Sequence, residues 1–165
     1  IKILDESFNA MKTNEIGEIC IKGPQVMKSY WHKEKLNKEV FTKDGYFRSG
    51  DMGYVDKQGR IFIVDRVKDM IIVSGFNVYP CDVEQVLNQH SDVIESACIG
   101  IDHKVSGQSI KAFVVKKPGS TLEKQTLITH CKKHLAHYKI PKKIQWINEL
   151  PKSNVGKILK RKLGQ

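Results

Sequence analysis

From about Asp69 onward the chain alternates between two apolar periodicities, and their order restricts the fold more than any other feature. MIIVSGF reads as a strand interrupted at Ser74-Gly75, and after NVYP the stretch Cys81 to His90 takes helical spacing through Val83, Val86 and Leu87. Pro80 and Asp82 suit the first turn of that helix. VIESACIGI and IKAFVVKK are strands whose apolar faces can pair, LEKQTLITHCKKHLAHY is a helix, and KIQWI is a short strand before the tail. The order β, α, then β-β-α-β predicts a small α+β unit.

The residues before it read differently. GEICIKGPQVMKSYW alternates like a strand through Ile19 and Ile21 and turns at Gly23-Pro24. GRIFIVDRV is a second apolar strand, entered from the turn DKQG. The expected fold class is therefore α+β, a β-rich first part of about 65 residues followed by the α+β unit, with no repeat and no low-complexity stretch.

With 165 residues, 40% hydrophobic and 28% charged, the chain has the content of a folded protein. No apolar run approaches the roughly 18 residues of a membrane span, and IKILDESFNAMKTNEIGE lacks the pattern of a signal peptide, so a cytoplasmic location is expected. The chain starts at Ile1, in a strand-like IKILD, which reads as a piece cut from something longer. Cys20, Cys81, Cys98 and Cys131 form no C-x-x-C and are expected as thiols used in packing.

The net charge of +10 is unevenly spread. Residues 1 to 68 carry 13 basic and 10 acidic side chains and residues 69 to 131 carry 5 and 7, whereas residues 132 to 165 carry 10 and 1. Such a tail attracts a polyanion, or else it is a solvated helical face. His130, His134 and His137 fall at i, i+4 and i+7, a spacing that brings three imidazoles near one helical face, but no carboxylate or cysteine shares the stripe, and surface histidines are expected in preference to a metal site. Tyr138 and Trp146 lie in apolar runs and are read as core, so nucleic acid is not expected as a partner.

LPKSNVGKILKR sets Gly156 beside Lys157, a pair suited to phosphate because glycine permits close approach and lysine brings a mobile charge. A P-loop needs a further glycine five residues earlier and Ser or Thr after the lysine; this chain has Pro151 and Ile158 there. Asp51, following Ser49-Gly50 in an expected tight turn, can present a carboxylate to a vicinal diol such as a ribose, and Arg66, at the end of the second strand, can stand beside it.

GEICIKGPQVMKSYW, DGYFRSGDMGYVDKQGRIFIVDRVKDMI, VSGFNVYPCDVE and ELPKSNVGKILKR together, in this order, resemble motifs of the adenylate-forming enzymes, the superfamily of acyl-CoA synthetases, luciferases and adenylation domains. Within it the chain is most similar to bacterial long-chain fatty-acid:CoA ligases; Ser49 stands where the family usually has threonine. The resemblance implies that residues 1–67 end the large N-terminal domain and that residues 68–165 form the mobile C-terminal lid, with the hinge at Lys68. It implies that Asp51 and Arg66 bind the nucleotide, that Ser74, Gly75 and Phe76 line the pantetheine channel, and that Lys157 is the catalytic lysine of adenylation.

The substrates so implied are a fatty acid, ATP and coenzyme A, with Mg2+ held mainly by the larger upstream part of such enzymes and no metal site in this stretch. The fragment alone is expected to be inactive. Peripheral association with the inner membrane and a regulatory lysine acyltransferase acting on Lys157 are further expected partners. Rival readings are an acyl or aryl substrate other than a long-chain fatty acid, because chain-length selection lies upstream in the family, and a stand-alone basic module for RNA or an anionic membrane.

Overall fold

Short apolar stretches between glycines and acidic turns set up the first sheet. In a computed structural model describing residues 1–164, β1 (Lys2–Leu4), β2 (Gly17–Ile21), β3 (Phe47–Val55) and β4 (Ile61–Arg66) form an antiparallel sheet in that order. Ile3, Leu4, Ile19 and Cys20 are buried, whereas Ile61, Phe62 and Ile63 of edge strand β4 are exposed. A short helix unmarked by any periodicity, α1 (Glu34–Val40), precedes β3 and buries no residue.

The chain divides into two compact units after Lys68. A 3-10 turn, Val67–Asp69, spans the division. In the second unit β5 (Ile71–Val73) and β6 (Phe76–Val78) form a hairpin, followed by α2 (Pro80–Asn88), β7 (Val93–His103), β8 (Gly107–Lys116), α3 (Lys124–His134) and β9 (Lys143–Trp146). The sheet runs β6-β5-β8-β7, antiparallel, with β9 pairing parallel to β8. This is the α+β order read from the sequence, except that MIIVSGF, expected as one interrupted strand, turns back at Ser74-Gly75 and gives two antiparallel strands.

Alternation along β8 explains the layers. Ile110, Ala112 and Val114 point to one face, where they pack with Val83, Val86 and Leu87 of α2 and Leu127 and Cys131 of α3. Phe113 and Val115 point to the other, where Ala97 of β7 and Leu150, Ile158 and Leu163 of the tail cover them. Burying a leucine such as Leu150 contributes about 2 kcal/mol. Past the last turn of α3, which carries Lys132 and Lys133, the tail is therefore not a solvated helix. β9 joins the sheet, and the Lys152–Ile158 hairpin and a 3-10 turn (Lys160–Lys162) follow, with Leu150, Ile158 and Leu163 closing the open face.

α3 is shorter than its sequence pattern suggests. It ends at His134, with extended backbone at Leu135, and His137 sits in a separate 3-10 turn. The three-histidine stripe is thereby broken.

Candidate functional site

Asp51 does not sit in a turn, as its neighbours Ser49-Gly50 suggest, but within β3, on a bulge. Glu18 pairs with Met52 and Cys20 with Arg48, so β3 spends two more residues than β2 over this span. Gly50 takes φ +73, a left-handed conformation that glycine adopts without a Cβ clash, and its N–H donates to Glu18 Oε1 at 3.1 Å. The bulge re-aims Asp51, whose N–H is held by Ser49 Oγ at 3.0 Å.

Across the ladder Asp51 is the register partner of Arg66. Arg66 Nε lies 2.9 Å from Asp51 Oδ1, yet this buried N–H makes no directed hydrogen bond; the contact is one of charge. Arg66 Nη2 donates weakly to Ser49 O at 3.4 Å. The half-exposed Asp51 carboxylate keeps acceptor capacity for a diol, and a guanidinium with an unsatisfied N–H stands beside it. That combination fits a ribose with nearby phosphate. Lys68, two residues beyond Arg66, is exposed.

In the second unit Ser74 and Gly75 are the two loop residues of the β5–β6 hairpin, with φ +51 and +83. Positive φ at both positions makes a twist-matched two-residue turn, in which the serine, unlike the glycine, carries steric strain. The Ser74 N–H donates to Ser106 O at 2.9 Å, and a Cβ at Gly75 would meet nothing within 4 Å. The loop is fixed at its base and open at its tip. Phe76, exposed, stacks on Tyr138 with ring centroids 4.6 Å apart. Tyr138 thus serves the loop as well as the core, a contact that sequence spacing gave no means of pairing.

Lys157 occupies a narrow hairpin whose flanks bridge at Lys152 and Ile158. Ser153 N–H donates to Lys157 O at 2.8 Å, Gly156 N–H to Ser153 O at 2.9 Å and Lys157 N–H to Ser153 Oγ at 3.1 Å. Gly156 takes φ +80. The backbone of Lys157 is closed into the turn while its side chain is exposed. Three tail lysines, Lys139, Lys152 and Lys160, are paired with Asp82, Glu95 and Glu84 at 2.6, 2.7 and 2.8 Å; among the described residues no ion pair reaches Lys157. Three of the ten basic side chains from Lys132 onward are thus neutralised by acids elsewhere in the unit, including both that flank the hairpin, whereas Lys157 at its turn is not.

The histidines do other work. His130 Nε2 is 2.9 Å from Val86 O, and its ring packs against His90 and His134. Among the described residues no group of three or more His, Cys, Asp or Glu is disposed to hold a metal ion. The cysteines form no disulfide. Burial pushes the Cys20 and Cys131 thiols up to about 11 and that of Cys98 well above its ordinary value, as suits packing residues. No helix is long and apolar enough to cross a membrane among the described residues.

Residues 82–157 match the family model of the AMP-binding enzyme C-terminal domain. The long-chain-fatty-acid–CoA ligase of Salmonella typhimurium is 49% identical over 162 residues, 98% of this chain and 28% of that protein. The enzyme of the same description from Haemophilus influenzae is 47% identical over 99% of this chain and 29% of its own length. Among solved structures, ATP-bound MatB from Rhodopseudomonas palustris superposes with a TM-score of 0.94 at 36% identity, over 98% of this chain and 32% of that one. The chain thus spans somewhat over a quarter of the length of these curated relatives.

Proposed function

We propose that the chain, whose residues 82–157 match the AMP-binding enzyme C-terminal domain, is the C-terminal part of a long-chain fatty-acid:CoA ligase of the adenylate-forming class. The proposed reaction has two steps. The fatty-acid carboxylate attacks the α-phosphate of ATP, forming the acyl-adenylate and expelling pyrophosphate; the coenzyme A thiol, losing its proton, then attacks the acyl carbon, forming the thioester and releasing AMP.

The observation that carries this reading is Lys157: an exposed ammonium on a closed hairpin, next to lysines that are paired. Negative charge grows on phosphoryl oxygens as pyrophosphate leaves, and one positioned donor is worth about 3 to 4 kcal/mol there. Asp51 accepts from the ribose hydroxyls and Arg66 supports the same nucleotide. In the second step Lys157 would stand where the thiol must enter. Rotation about Lys68 withdraws it and brings in Ser74, Gly75 and Phe76, where glycine leaves room for the pantetheine arm.

ATP–pyrophosphate exchange by the full-length protein across fatty acids of increasing length tests the substrate class. Exchange should peak with long chains; exchange only with short, aryl or amino acids would replace the substrate and keep the adenylating reading. In the same protein Lys68→Pro, which fixes φ, should leave exchange intact and abolish thioester turnover, and normal turnover would remove Lys68 as the hinge.

A further inference from the structure

The hairpin that presents Lys157 has two feet, and each is fastened by a lysine to a glutamate on the unit's main body. Lys152 Nζ meets Glu95 of β7 at 2.7 Å, with side chains 42% and 25% exposed. Lys160 Nζ meets Glu84 of α2 at 2.8 Å, and here the side chains are only 19% and 16% exposed. The inner pair is further tied down, because Glu84 Oε1 also accepts the Cys98 N–H of β7 at 2.7 Å. Lys160 is therefore anchored through one oxygen to the middle of strand β7.

Only Ile158 and Leu159 separate Lys160 from Lys157, a span of at most about 10 Å of chain. Ile158 packs on the cluster of Ala97, Phe113 and Leu150, and Leu159 N–H donates to Pro151 O at 2.8 Å. Moving Lys160 would shift the turn carrying Lys157. A largely buried ion pair contributes little net stability, because desolvation offsets its attraction, but it holds two groups in one geometry. The outer pair, more exposed, is worth at most about 1 kcal/mol and holds less firmly.

We propose that Glu84 and Lys160 are a positioning pair that sets Lys157 for adenylation, with no part in thioester formation. This rests on Lys157 acting in the first half-reaction. Glu84 is the less obvious member: it lies in α2, more than seventy residues before the lysine it serves.

The test uses the full-length enzyme with Glu84→Gln, which keeps an oxygen for the Cys98 N–H while losing the charge, together with Lys160→Met, Lys160→Arg and Lys157→Ala. Acyl-adenylate formation, thioester formation from supplied acyl-adenylate, and melting temperature are measured for each. Glu84→Gln and Lys160→Met should lower kcat of adenylation by about tenfold or more, as small misplacements of catalytic groups do, with KM for ATP and the thioester step changed less than about twofold. Lys160→Arg should recover most of the rate. Adenylation lost in Lys157→Ala but unchanged in Glu84→Gln and Lys160→Met would overturn the pair alone, as would a parallel fall of both half-reactions with the melting temperature. Adenylation surviving in Lys157→Ala would overturn the reading of the lysine and the pair's role with it.

Discussion

The sheet of residues 1–68 buries Ile3, Leu4, Ile19 and Cys20 but leaves Ile61, Phe62 and Ile63 of β4 outside, whereas the unit beginning at Asp69 encloses apolar side chains on both faces of its sheet. Their proposed functional groups differ in the same way. Asp51 and Arg66 face each other across a ladder, where register fixes them; Lys157 and Gly75 ride on loops, fixed by a core beneath and free at the tip. A group that holds one ligand throughout suits a strand, and groups that must trade places suit loops on a separately stable body.

The largest effect expected from this contrast concerns independent folding. Residues 69–165 expressed alone should unfold cooperatively in urea, while residues 1–68 alone should show no cooperative transition, since their thin core leaves apolar β4 in water. Equal cooperativity of the two pieces would break the comparison. A smaller effect is expected at the β5–β6 loop: Gly75→Ala, at φ +83, should cost about 1 kcal/mol of stability in residues 69–165, read from the urea midpoint. No shift would mean that the turn relaxes freely.

The smallest concerns the first sheet and acid. The Lys2 ammonium hydrogen-bonded to Asp44 at 2.8 Å, aided by the Thr42 hydroxyl at 2.6 Å, holds the Asp44 carboxyl down to about 2. A carboxylate depressed in the folded state stabilises fully above its ordinary value near about 4, and the contribution is lost as pH falls toward about 2. Carbon NMR titration of full-length protein should place Asp44 in that low window and Lys2→Ala should move it upward; an unmoved titration would remove Lys2 as the cause.

Much of the second unit was legible because its apolar periods are long: α2, β7, β8 and β9 follow from Val83, Val86 and Leu87, from VIESACIGI and IKAFVVKK, and from KIQWI. The end of α3 was not, since LAHY continues the helical period while Leu135 and Ala136 take extended backbone. The bulge at Asp51 was hidden for a related reason. Ser-Gly-Asp favours a turn locally, and only the pairing of β2 with β3, set by residues 30 positions apart, makes it a strand irregularity. Long-range partners such as Glu84 with Lys160 or Phe76 with Tyr138 have no local signature; a single Glu amid the buried residues of α2 was the one hint available.

The central claim is that Lys157 serves the first half-reaction and not the second. In the full-length enzyme, Lys157→Ala should lower acyl-adenylate formation by roughly a hundredfold or more and leave thioester formation from supplied acyl-adenylate nearly intact. Equal loss of both steps would contradict that division and return Lys157 to a general structural role.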